Sequence, residues 1–197
     1  MNAPNISAPT AQPNFPITSE AFWAKFSKAL RQRWNPEVDA FWWDISKRTE
    51  FMTDVLRELA PGFGCRWDCE YWPRVDVSYF NGHTEEWDEW SREAAIEIEN
   101  DDLWKKEVCK LMEINAGLKV LIAYVDKQEK LDEFWDRLPV IYQSRKYVTT
   151  SCNWLFIFGR FGKDDWDFIA FKFDGMTTTE ITGNVRIRTI GTHERIA

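Results

Sequence analysis

The sequence predicts a mixed α/β domain, a central mixed β-sheet flanked by helices and containing a βαβ crossover. Three observations predict it. The first third has apolar residues at helical spacing. The stretch "AAIEIEN", a helical stretch and then "LKVLIAYV" form a strand–helix–strand unit, and such a unit makes its two strands parallel. The last third supplies two further apolar strands, "NWLFIFGRF" and "WDFIAFKFD", with "NVRIRTI" as a closing edge strand.

In chain order, residues 1–17 are rich in Pro, Ala and Asn without a period, which predicts a disordered tail before one domain over 18–197. "TSEAFWAKFSKALRQRW" then places Phe22, Phe26 and Leu30 on one helical face, with Ser19 as its N-cap. Asn35-Pro36 resets the chain. A second helical stretch runs from about 37 to 60, broken near Ser46, and it buries Phe51, Val55, Leu56 and Leu59 before Pro61-Gly62 ends it. "FGCRWDCEYWP" and "RVDVSYF" alternate as a hairpin or two adjacent strands, and "NGHTEEWDEWSRE" reads as a polar loop. After "AAIEIEN", Asn100, Asp101 and Asp102 can cap a helix beginning near Leu103, whose apolar face carries Trp104, Val108, Leu111 and Leu118. "LKVLIAYV" is a continuous apolar run, as in a strand covered on both faces. "DKQEKLDEFWDRL" predicts another helix.

Composition bounds the function. A chain of 197 residues is one domain's worth, and twelve Trp with fourteen Phe can fill its core. No apolar run is long enough to span a membrane, and no basic region precedes an apolar core at the N-terminus, so a cytoplasmic location is expected. Cys65 and Cys69 lack a second ligand pair at finger spacing, which disfavours zinc and points to reduced cysteines. The net charge of −7 argues against unselective binding of phosphate backbones, though a local basic surface is not excluded.

One constellation stands out. Glu97 and Glu99 lie two apart in a strand pattern, so both point to one face. Asp76, between Val75 and Val77, belongs to a neighbouring strand, on the face opposite those valines. Three carboxylates so placed repel unless a cation sits among them. Magnesium takes one or two carboxylates plus water and substrate phosphate, and a lysine would serve a similar electrostatic purpose. The bland alternatives are concrete: solvated acids on an exposed strand face, and Lys110 as a surface lysine paired with Glu107 or Glu113 at helical spacing.

Helix, strand with Asp, strand with Glu-x-Glu, helix and apolar strand, from about Glu50 to Val125, resemble the PD-(D/E)XK nuclease superfamily, with its restriction-endonuclease-like fold. The resemblance implies metal-dependent phosphodiester hydrolysis with Mg²⁺ or Mn²⁺. Asp76 and Glu97 match the metal-binding acids, and Glu50 an acid that some members carry on the preceding helix. Two departures stand against it. The Pro-Asp pair is absent, and Glu99 occupies the usual lysine position, so Lys110 of the following helix is the candidate for the missing charge. Nucleic acid, DNA first, is the implied partner; a homodimer is left open. The rival readings are a catalytically inactive nuclease-fold interaction or regulatory module, and an unrelated α+β domain that binds a peptide or sugar on aromatic residues such as Trp42, Trp43, Trp67, Trp72, Trp87 and Trp90. Among these, Trp87 and Trp90 lie in the polar loop and are the leading candidates for stacking on a ligand.

Overall fold

The computed structural model describes residues 16–69, 75–81, 91–99, 104–145, 153–161 and 165–188. The tail through residue 15, the loop with His83, Trp87 and Trp90, the capping candidates Asn100, Asp101 and Asp102, and Trp72, Cys152 and His193 lie outside the described residues.

Three helices open the chain: α1 (Ser19–Arg33), α2 (Pro36–Phe41) and α3 (Ile45–Leu59). The cap of α1 is Thr18, whose side chain accepts from the Ala21 N–H, and not Ser19. Ser19 is the first helical residue, and its hydroxyl instead donates to Asn153 Oδ1 at 3.0 Å. Asn35 caps α2 through the N–H groups of Glu37 and Val38, with Pro36 at the first position, where its missing donor costs nothing. The expected break falls at 42–44, where Asp44 caps α3.

The strands are β1 (Arg66–Asp68), β2 (Val77–Asn81), β3 (Ser91–Glu99), β4 (Leu118–Val125), β5 (Trp154–Phe161), β6 (Asp165–Phe173) and β7 (Thr178–Arg188). They form one seven-stranded sheet in sequence order. β1–β2–β3 and β5–β6–β7 are antiparallel, whereas β3, β4 and β5 are parallel. The parallel strands need crossovers, supplied by α4 (Trp104–Glu113) and α5 (Gln128–Ser144). The helix α4 stops at Glu113, so Leu118 belongs to β4 rather than to the helix face. α5 runs through Pro139 and beyond the expected end.

Two cores result, one on each face of the sheet. α1, α2 and α3 cover Val77, Ala94, Ile96, Ile98, Val120 and Ile122. α4 and α5 cover Ala95, Leu121, Ala123, Phe156 and Phe158. The alternation along β3 and β4 sorts these residues with no exception. Trp42, fully buried in the turn between α2 and α3, meets Trp34, Phe51, Tyr124, Trp166 and Phe168 at 4.3–6.2 Å between ring centres. Gly159 makes room for this cluster: a Cβ there would stand 2.8 Å from the Tyr124 ring and 3.0 Å from Phe168. No described helix is long and apolar enough to cross a membrane.

Because Trp42 joins the helical layer to the ends of β4 and β6, Trp42→Ala should cost about 3–5 kcal/mol. Urea unfolding would show a lower midpoint at unchanged slope; a midpoint like that of the unmodified chain would remove Trp42 from its keystone role.

Candidate active site

Asp76 lies in the bend just before β2, so strand alternation does not set its direction: Val75 packs in the α4–α5 core and Val77 in the opposite one. The β2–β3 pairing ends at Val77 and Ile96. Past that point the Asp76 carboxylate substitutes for a main-chain acceptor, its Oδ2 receiving the Ile98 N–H at 2.7 Å. This bond fixes Asp76 beside the C-terminal end of β3.

Glu97 and Glu99 share one face, as their spacing requires. That face is covered rather than solvated. They are 2% and 8% exposed, beneath α4. Lys110 reaches down from α4 to place Nζ 2.8 Å from Glu97 Oε1 and 2.5 Å from Glu107 Oε2. The lysine thus joins the strand acid and the helical acid three residues before it, uniting the site reading with the surface-pair reading. Glu50 is not part of this group. It is exposed on α3, in the layer covering the other face of the sheet.

Burial, then the neighbouring Asp76 carboxylate, pushes the Glu97 pKa up to about 9, against the pull of Lys110. Asp76 is also raised, chiefly by burial, and the Ile98 N–H and Lys110 oppose that. For Lys110 burial works against the charge, but Glu107 and Glu97 outweigh it and raise the pKa. Glu97 therefore holds a proton at neutral pH, with Lys110 charged beside it.

Among the described residues, no three or more His, Cys, Asp or Glu side chains gather closely enough to hold a metal. Two carboxylates suffice for magnesium, which keeps water and phosphate oxygens in its remaining positions. Glu97 Oε1 is buried with the Lys110 ammonium at 2.8 Å, so an ion held there would share that oxygen with the lysine. Asp76 and Glu97 are the residues that would hold the ion.

The sequence reading missed a second polar group under α4. Lys119 is fully buried on β4, level with Ala95 of β3 and, across it, Ser78 of β2. Its Nζ donates to the Met112 carbonyl at 3.3 Å, in the last turn of α4, and lies 5.2 Å from the Trp154 ring. A cation at a helix C-terminus satisfies a carbonyl and complements the dipole. The signal was present: a lone lysine inside the apolar run "LKVLIAYV", in phase with Leu121 and Ala123. Among the described residues, Cys65, Cys69 and Cys109 form no disulfide.

No protein-family model, curated protein or solved structure matches the chain.

The Glu97 proton has a signed consequence. Between the ordinary glutamate value of 4.5 and about 9, the folded chain holds one proton that the unfolded chain lacks. Its contribution to stability is full below that window, falls as pH rises through it, and levels off above. Glu97→Gln, a permanent mimic of the protonated form, should be more stable than the unmodified chain near pH 9, by about 5 °C in Tm, with the gap closing toward pH 5. Parallel Tm profiles for the two proteins would mean that Glu97 ionises normally.

Proposed function

We propose that the protein is a metal-dependent phosphodiester hydrolase acting on nucleic acid, DNA first, built on a restriction-endonuclease-like version of its mixed sheet. One observation carries the reading: the helix-borne Lys110 ammonium stands 2.8 Å from Glu97, whose carboxyl faces Asp76 from the adjacent strand. Two acids with a lysine are what the resemblance to the nuclease superfamily implies, and the position of Lys110 on α4 supports that reading where Glu99 holds the strand position.

In this reading Asp76 and Glu97 hold Mg²⁺ or Mn²⁺, and the bound ion supplies Lewis acidity and a water of lowered pKa. Glu97 gives up its carboxyl proton to act as a ligand, which makes binding stronger as pH rises. Lys110 offers fixed positive charge where negative charge develops on the phosphate, in a site whose burial strengthens that interaction. Glu99, next on the same face, orients the attacking water or contacts a second ion. Glu50 takes no part.

A second reading has its own support. Lys110 already pairs with Glu107 and bonds Glu97, which holds its proton, and Asp76 already spends Oδ2 on the backbone, so the group is satisfied without an ion. A catalytically inactive interaction module on the same scaffold would look like this.

Calorimetric titration with Mn²⁺ separates the two. The hydrolase reading expects binding in the unmodified chain, its loss in Asp76→Ala and Glu97→Ala, and in Lys110→Ala retained binding with hydrolysis reduced by about 10²–10³-fold. Absence of binding at millimolar Mn²⁺, in protein folded by circular dichroism, would leave the interaction module.

A further inference from the structure

Lys110 meets two acids, and they are not equivalent. Its Nζ stands 2.8 Å from Glu97 Oε1 and 2.5 Å from Glu107 Oε2. Glu97 holds its proton at neutral pH, so it meets the ammonium as a neutral acceptor. The countercharge comes from Glu107. Burial works against the charge on Lys110, and of the interactions that restore it the one with Glu107 is the largest.

Glu107 is held in place by its own helix. It precedes Lys110 by three residues on α4, a spacing that brings two helical side chains together. Val108 and Leu111, which follow each of them, are fully buried in the α4–α5 core. The helix cannot roll without unpacking both. The Glu107 and Lys110 side chains keep only 12% and 27% of their surface exposed. Pairs of this kind in open solvent contribute little, because water screens them and side-chain entropy opposes them. Shielding from water strengthens the attraction here.

Glu107 does not complete a set of three acidic ligands, since among the described residues no three acids gather closely enough to hold a metal. Its bearing on the site runs through the lysine. When Glu97 serves as an ion ligand, Oε1 is shared between the ion and the ammonium, and two cations on one oxygen repel. The ammonium then needs a second anchor to stay beside the site.

We infer that Glu107 is the positioning residue of the site: from within α4 it holds the Lys110 ammonium, so that this charge stays aimed at the acidic pair when Glu97 is engaged. The hold is a property of the metal-free protein. Its consequence for phosphodiester hydrolysis rests on the hydrolase reading.

The hold is read first without metal, in EDTA. A lysine ammonium clasped by carboxyl groups exchanges its protons slowly enough to give a proton–nitrogen correlation by NMR, and its absence in Lys110→Ala assigns it. The expected result is a Lys110 signal in the unmodified chain that disappears in Glu107→Ala and is retained in Glu107→Gln, which keeps an acceptor at the same reach, with circular dichroism unchanged in each. Calorimetric titration should find Mn²⁺ binding kept in Glu107→Ala. Hydrolysis by that variant should fall about 10–100-fold in kcat with KM held. Added to Lys110→Ala, the same substitution should cost nothing more. No Lys110 signal in the unmodified chain, or one that survives Glu107→Ala, would overturn the inference. So would loss in Glu107→Ala of Mn²⁺ binding that the unmodified chain shows, since that makes Glu107 a ligand. Disappearance of the signal in Glu107→Ala, when the unmodified chain cleaves nothing under Mn²⁺, would uphold the hold on Lys110 and remove the hydrolase reading. Cleavage at an unchanged rate by Glu107→Ala would do the reverse.

Discussion

Parallel pairing of β3 with β4 is the constraint on which the rest depends. A parallel pair cannot be closed by a tight turn, so the chain must cross over the sheet, and it does so as α4. Repeating the crossover from β4 to β5 puts α5 on the same face. Two helices there leave the opposite face bare, and the three N-terminal helices cover it. The polar side chains that the strands direct toward α4 are therefore buried by topology, not by their own chemistry.

That burial gives the acidic group its electrostatic character. On an open strand face, Glu97 would be an ordinary ionised glutamate. Under α4 it loses water, faces Asp76 and keeps its proton, while Lys110 gains Glu97 and Glu107 as acceptors and keeps its charge. Desolvation and pairing oppose one another at one point, as they do where proteins tune acids for chemistry, and also in structural ion networks. Lys119, two residues earlier on the face shared with Leu121, meets the same desolvation and spends its charge on the end of α4.

The aromatic residues divide between frame and surface. Trp42 is sealed among rings from α1, α3, β4 and β6, and Trp154 is buried beside Phe156. Trp43 adjoins Trp42 in sequence but turns outward over the end of β5. Adjacent indoles thus serve opposite ends because the α2–α3 turn reverses the direction of successive side chains.

The sequence by itself determined the kinds of element, the strand–helix–strand unit and the shared face of Glu97 and Glu99, because these follow from local periodicity. Lys110 came instead from the resemblance to the nuclease superfamily, as the lysine that borders the apolar face of the helix after the acidic strand. Only the tertiary structure decided that this face is covered, that Asp76 bonds the Ile98 N–H from a bend rather than a strand, and that Glu50 belongs to the opposite layer. It alone revealed Lys119 as a buried charge and brought Arg160 and Arg186 beside Asp165 and Asp167 at one edge of the sheet. The reason is physical. Periodicity states which residues share a face, but solvent access and cross-strand distance depend on which segments pack together. That is set by contacts between residues far apart in the chain.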